Sequence, residues 1–273
     1  YQKGKMAGKV TPEILSGLRK SLIRRSKIQI AESRAPPPIP KDNQPDLIHS
    51  PRLIAVTNGW NPEGHYFGIN FRESLHDKLS RDSGYEQYSH LEAIDIHAGY
   101  YEQLGKWTLA KATVVDMLSL YPLSHLDPQL SWRFYLSYEP GYHSFPNEAN
   151  EVIARGGIGY SYSLTASQLV YALALVSTGF NPSVHRGYYL GPGLEFGWLL
   201  SVHPNWKMEI TGLFLQPVLP SITEEKLFHK YQFTQSWILS RDLELRAAFA
   251  LYPNRQKDFE LDQELSTRLL WHF

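Results

Sequence analysis

From Pro51 to the last residue the chain alternates apolar and polar positions with a period of two, the pattern of strands with one apolar and one polar face. In "HYFGINF", His65, Phe67, Ile69 and Phe71 share one face, and Tyr66, Gly68 and Asn70 the other. "SWRFYLSYE" sets Trp132, Phe134, Leu136 and Tyr138 against Arg133, Tyr135, Ser137 and Glu139. In "YLGPGLEFGWLLS", Leu190, Leu194, Phe196, Trp198 and Leu200 oppose Gly191, Gly193, Glu195, Gly197 and Ser201. "WKMEITGLF" and "DLELRAAFALY" repeat the pattern, with Lys207, Glu209, Glu244 and Arg246 on their polar faces. The alternation predicts about twelve strands, near 52–58, 64–72, 90–101, 105–118, 131–139, 151–164, 166–177, 188–201, 205–216, 226–239, 241–252 and 260–273. Many exceed the usual strand of about 5–6 residues and suit a tilted bilayer crossing of about 9–11.

The final strand, which ends in "STRLLWHF", puts Leu265, Leu269, Trp271 and Phe273 on one face and Ser266, Arg268, Leu270 and His272 on the other. A strand that runs to a bare aromatic must be paired along its length, since unpaired termini fray.

Alternation does not say which face points inward. A soluble barrel buries its apolar face, and a membrane barrel turns that face to lipid. Three features favour lipid. Charges of both signs sit on the polar faces (Arg133, Arg155, Glu195, Glu209, Glu244, Arg246), as a wet lumen allows. Aromatic residues fall near strand ends (Trp107, Trp132, Tyr188, Trp206, Trp237, Trp271), as an interfacial girdle requires. The third is the terminus: an aromatic last residue after alternating apolar positions resembles the assembly signal of bacterial outer-membrane barrels. That resemblance makes Leu265, Leu269, Trp271 and Phe273 a barrel-closing strand, and the barrel-assembly machinery a partner.

Residues 1–50 differ. "TPEILSGLRKSLIRRSKIQIAES" reads as a helix with Thr11 as N-cap and Pro12 in its first turn. Its Leu15, Leu18 and Leu22 share a face beside basic Arg19, Lys20, Arg24, Arg25 and Lys27. This is a solvated basic surface helix, or one lying on an anionic membrane. "APPPIPKDNQP" follows as a stiff linker. The expected organisation is a basic helix and Pro-rich linker over 1–50 and a β-barrel domain over 51–273: all-β, an antiparallel up-and-down transmembrane barrel.

Composition excludes several classes. Lysine plus arginine equals aspartate plus glutamate, 27 each, so no global charge points to nucleic acid, and no aromatic-interleaved basic face appears. Without cysteine there is no disulfide, zinc–cysteine site or thiol nucleophile. The histidines lack a metal spacing. The glycines of "RGGIG" and "GPG" lie inside strands, where they mark bends or close approaches and cradle no phosphate. No cofactor is expected. "YQKGKMAGKV" has charges but no apolar core behind them, so it is not a signal peptide, and the chain is expected to start within a longer protein.

A wider resemblance is carried by "HYFGINFRESLHDKLSRDSGYEQYSHLEAIDI", "LSLYPLSHLDPQLSWRF", "RGGIGYSYSL" and "YYLGPGLEFGWLL". These look like the C-terminal half of the Lnb-like periplasmic family. The matching positions are Arg72, His76, Asp77, Gly84, Tyr85, Ser119, Leu120, Pro122, Ser131 and Trp132. The resemblance implies an upstream papain-like periplasmic domain, with the catalytic cysteine, associated with lipoprotein N-acylation.

The candidates for chemistry within this chain are His76 and Asp77. Adjacent side chains on an extended segment point apart, so adjacency makes no dyad. With Ser80, Ser83, His90 and His97 nearby, a Ser/His lipid hydrolase is conceivable, although geometry and not composition defines such a site. The leading reading is an outer-membrane barrel, in contact with outer-membrane lipids and with its N-terminal segment in the periplasm, that anchors an upstream catalytic domain. The alternatives are a barrel enzyme acting on lipids and a soluble barrel binding an apolar ligand or partner. Opposed lumen charges, Glu195 and Glu209 against Arg246 or Arg155 among them, are expected to leave little open pore. The long connections at 73–89 and 119–130 are expected on the periplasmic side.

Overall fold

The computed structural model describes residues 12–27, 49–82, 88–124, 128–140, 150–180, 187–218, 227–253 and 260–273. The chain forms two units, Tyr1–Lys41 and Asp42–Phe273. In the first, helix α1 spans Pro12–Ser26, with Glu13 in its first turn and Arg24 and Arg25 in its last, the charge placement that suits the helix dipole. Leu15, Leu22 and Ile23 are exposed on it. The expected N-cap Thr11 and the Pro-rich stretch lie outside the described residues.

The second unit consists of twelve strands: β1 (Arg52–Asn61), β2 (Gly64–His76), β3 (Ser89–Tyr101), β4 (Lys106–Ser119), β5 (Ser131–Pro140), β6 (Asn150–Thr165), β7 (Gln168–Phe180), β8 (Tyr188–His203), β9 (Trp206–Leu215), β10 (Phe228–Ile238), β11 (Leu243–Pro253) and β12 (Leu261–His272). Each pairs antiparallel with its sequence neighbours, and β12 closes on β1. Closure leaves no sheet edge, the one way a sheet satisfies its backbone in lipid. The closing register pairs Leu53 with His272 and Trp60 with Leu265, and the Phe273 amide donates to the Arg52 carbonyl at 3.0 Å. The chain is therefore paired to its final residue.

The two faces divide by polarity. Val56, Ile69, Ile96, Val114, Ile158, Val176, Leu194, Ile210, Leu265 and Leu269 are exposed on the outside. Arg72, Glu92, Asp116, Arg155, Glu195, Lys207, Glu209, Glu244 and Arg246 face the lumen, none more than 9% exposed. Apolar outside and charged inside is the arrangement of a barrel in lipid. A soluble barrel would be the inverse, so that alternative does not fit. Of the six aromatics expected in a girdle, Trp107, Trp132, Tyr188 and Trp271 stand outward near strand ends, whereas Trp206 and Trp237 are half-buried.

One strand breaks the alternation. β7 is apolar on both faces: Leu169, Tyr171, Leu173 and Leu175 point inward and pack with Leu118, Leu199, Leu213, Leu215 and Phe228. Part of the lumen is thus a hydrocarbon core and not a wet channel. Glycine allows walls to approach closely. A Cβ at Gly159 would lie 2.0 Å from the Ala172 carbonyl oxygen of β7.

Both chain ends of the barrel lie at one rim, called here the terminal rim. Because the strands run up and down, the connections β2–β3, β4–β5, β6–β7, β8–β9 and β10–β11 share it. The last three are tight turns; the first two are long.

Candidate functional site

The side chains singled out in the sequence converge at the terminal rim, where β2 ends in His76 and the chain turns into the barrel instead of away from it. Asp77, Leu79 and Ser80 are all at most 3% exposed. A tight turn forms this inward bend, with the Leu79 amide donating to Asp77 Oδ1 at 3.0 Å and the Ser80 amide to the Asp77 carbonyl at 2.9 Å.

Charged groups from several walls hold the bend. Asp77 Oδ2 accepts from Arg72 Nη1 at 3.1 Å and from Arg246 Nη1 at 2.7 Å. Lys78 Nζ meets Glu209 at 2.7 Å. Ser80 Oγ donates to Glu244 at 2.9 Å. Lys207 Nζ donates to the Lys78 carbonyl at 3.2 Å, to the Ser80 carbonyl and to Asp82 Oδ1 at 2.6 Å. Leu79 enters the apolar cluster of β4, β7, β8 and β9. Burial disfavours the charged Asp77 carboxylate, but Arg246, His90 and Arg72 outweigh it and hold its pKa well below the carboxylate range. Burial likewise disfavours the Lys78 ammonium, and Glu209 overcomes it, so that pKa is raised.

Behind the bend the walls pair among themselves. Arg72 bonds Glu92, and Arg246 bonds Glu244. Arg133 bridges Asp116 at 2.7 Å and Glu195. Higher up, Arg155 reaches Glu139 at 3.5 Å. These partners correct the sequence expectation: Glu195 takes Arg133, and Glu209 takes Lys78, because the inward bend interposes itself between Glu209 and Arg246.

A β-bulge makes part of this cluster possible. Asp95 accepts from Asn70 and Glu92 from Arg72, so both acids face the lumen although an odd interval separates them. The register of β3 shifts between them against β2, and Ile94 takes φ 54°, a left-handed conformation that a β-branched residue rarely adopts.

The candidate catalytic pair does not act together. Asp77 is engaged by arginines, while the His76 ring stacks over His49 at 6.2 Å. His49, just before β1, also lies 4.4 Å from His272. Burial first, then the neighbouring His272, work against a charge on His49 and lower its pKa. Ser80 donates to Glu244 and not to an imidazole, so the described residues show no Ser/His dyad there. Asp77, His90 and Glu92 could each offer a ligand atom within 4.8 Å of the others, but Arg72 already bridges both carboxylates. A guanidinium occupies the place a cation would take.

Among the family-motif positions, Arg72, His76 and Asp77 belong to this cluster. Pro122 bridges to Ser161 of β6, and buried Ser131 donates to Ser161 Oγ at 3.0 Å. Trp132 faces outward, 39% exposed. Gly84 and Tyr85 lie outside the described residues. The motif positions therefore do not form one site. The sequence reading missed His49, Glu92 and Asp116, and placed Lys207 on a polar face without a role; the signal available for Glu92, Asp116 and Lys207 was their placement, with Arg72, Arg133 and Glu244, on polar faces near one rim.

The two long connections touch. The Leu120 amide donates to the Tyr88 carbonyl at 3.3 Å, the Tyr121 amide to Ser131 Oγ at 3.2 Å, and the Leu123 amide to the Ser161 carbonyl at 2.8 Å. Leu123 and Leu130 are left exposed.

Comparison with known proteins follows the fold. The sequence profile of a family described as a domain of unknown function (DUF7840) matches residues 42–272. No curated protein matches the chain in sequence. Among solved structures, the NanC porin superposes with a TM-score of 0.50 at 7% identity, over 81% of this chain and 100% of that one. An outer membrane channel from Pseudomonas putida F1 gives 0.48 at 10% identity, over 90% and 100%. At such identities the likeness to the NanC porin concerns the fold.

Proposed function

The chain belongs to the family described as a domain of unknown function (DUF7840), and on that footing we propose that it is an outer-membrane barrel that positions a periplasmic catalytic domain lying upstream. The apolar exterior and charged interior support membrane insertion. Outer-membrane lipids and the barrel-assembly machinery are then its first partners.

One observation carries the positioning role. The long β2–β3 and β4–β5 connections form a joined, hydrogen-bonded platform at the rim where the chain enters the barrel. A rigid barrel presenting hydrogen-bonded loop segments beside an incoming chain is a scaffold for a domain carried by that chain. Exposed Leu123 and Leu130 give the platform apolar contact points. The resemblance of Arg72, His76, Asp77, Pro122 and Ser131 to the Lnb-like pattern supports a papain-like, lipoprotein-acylating identity for the upstream domain. The catalytic thiol would belong to that domain, since this chain has no cysteine.

The test is photo-cross-linking in the longer native protein, with the reactive residue at Leu123 or Leu130 and, as a control, at Leu104 of the opposite rim. Intramolecular adducts with the upstream domain are expected from the first two positions only. Equal adducts from Leu104, or none from Leu123 and Leu130, would rule the role out.

A further inference from the structure

The inward bend at Asp77–Ser80 has a property that a permanent core would not need: the wall is electrostatically complete without it. Arg72 keeps Glu92, Arg246 keeps Glu244, and Arg133 keeps both Asp116 and Glu195, whether the bend is present or not. Withdrawal would take Asp77 from Arg72, Arg246 and His90 and Ser80 from Glu244, but each of these keeps another partner. The groups most in need of a new one would be Lys207, which keeps Asp82, and Glu209. They are opposite in charge and two positions apart on β9, hence on one face and within reach of each other. Leaving an unpaired buried charge is what makes breaking an ion pair costly, and here withdrawal of the bend leaves none.

The bend itself is held by the kind of contact water can replace. Asp77, Lys78 and Ser80 are fixed by ions and hydrogen bonds. Leu79 is the only apolar side chain of the bend, inserted like a peg into the cluster of Leu118, Leu169, Leu199 and Leu213. Beside the bend, the cavity among Lys78, Asp82, Tyr88, Leu199 and Lys207 is about 10 Å³, space for at most one water.

We propose that the barrel is a gated conduit for small hydrophilic solutes, closed by its own Asp77–Ser80 segment and opened when that segment withdraws from the terminal rim. The closed form is the one described. Beside the apolar cluster, which stays in place without Leu79, withdrawal exposes a wall of mutually paired charges and serines, a hydrated surface suited to ions and small polar molecules. Opening requires leaving the Leu79 pocket and exchanging the contacts of Asp77, Lys78 and Lys207 for water.

The experiment uses the full chain in planar bilayers, with heat-dependent gel mobility reporting an intact barrel. The wild type should pass little current. Leu79→Asp, which makes the peg hydrophilic, should raise the open probability at least tenfold. A second variant, Lys78→Cys with Glu209→Cys, removes one clamp in a chain otherwise free of cysteine. It should conduct as made and close when a short bis-methanethiosulfonate, which forms a disulfide with each cysteine and releases sulfinate, ties the two positions together. Intact but silent barrels for both variants would overturn the proposal, as would conduction unchanged by the cross-link or a wild type that is steadily open. If Leu79→Asp does not assemble, the cysteine pair decides alone.

Discussion

At the scale of single residues, the lumen shows where charge can be stored in a membrane barrel. Arg133 is bonded to Asp116 and to Glu195, two acids that are 7% and 3% exposed. Replacing such a pair by apolar groups is often neutral, but removing one partner leaves an uncompensated buried charge and costs about 3–5 kcal/mol. Arg133→Met should therefore destabilise the barrel by about that amount in equilibrium urea unfolding in micelles, and adding Asp116→Asn and Glu195→Gln should recover much of the loss. A single variant as stable as the wild type would show that water already neutralises the acids. The inward orientation of Arg133, Arg155, Glu195, Glu209, Glu244 and Arg246 was legible in the sequence, because the period of two forces it once the outer face is apolar. Their partners were not, because pairing across a lumen depends on which strands stand opposite and on what lies between them.

At the scale of elements, β12 bears the most. Its register with β1 joins the two ends of the domain, from Leu53 with His272 to Trp60 with Leu265, and removal of Trp271–Phe273 would take away the pairings nearest the rim together with two outward aromatics. Deletion of these three residues should lower the yield of heat-modifiable, membrane-assembled protein severalfold, while Phe273→Tyr should assemble normally. Full assembly of the truncated chain would refute a closing role for the strand. The strand was readable because Leu265, Leu269, Trp271 and Phe273 fall on one face, with Thr267 the one polar residue among them. β7 was recognisable as a strand, but its inward leucines signalled nothing about a core in the lumen, since an apolar run has no period to interpret.

For the whole molecule, the turns bear on which rim faces the cell interior. With both barrel ends at the terminal rim and tight turns at β6–β7, β8–β9 and β10–β11, that rim matches the periplasmic side of outer-membrane barrels, where turns are short. Lys78 is a poor reporter, since its side chain is 11% exposed and paired with Glu209. Exposed Ser240, in the β10–β11 turn, and exposed Gln103, in the β3–β4 turn, are better. In intact cells a membrane-impermeant thiol reagent should label Gln103→Cys at once and Ser240→Cys only after the outer membrane is breached. The opposite order would invert the barrel and place the β2–β3 and β4–β5 platform outside the cell.

Strand number, the antiparallel up-and-down order and the division into apolar and polar faces were determined by the sequence alone, because a period-two pattern is a local property and a lipid-facing surface must be apolar along every strand. The closing terminus belongs with these. Only the tertiary structure decided what fills the lumen. The segment after His76 carries no local mark that it turns inward; it does so because Arg246, Lys207, Glu209 and Glu244 wait on β9 and β11, far away in sequence. The bulge at Ile94, which brings Glu92 and Asp95 to one side, is likewise invisible in a pattern that counts by twos. Contacts between distant strands follow from closure, and closure is a property of the whole sheet.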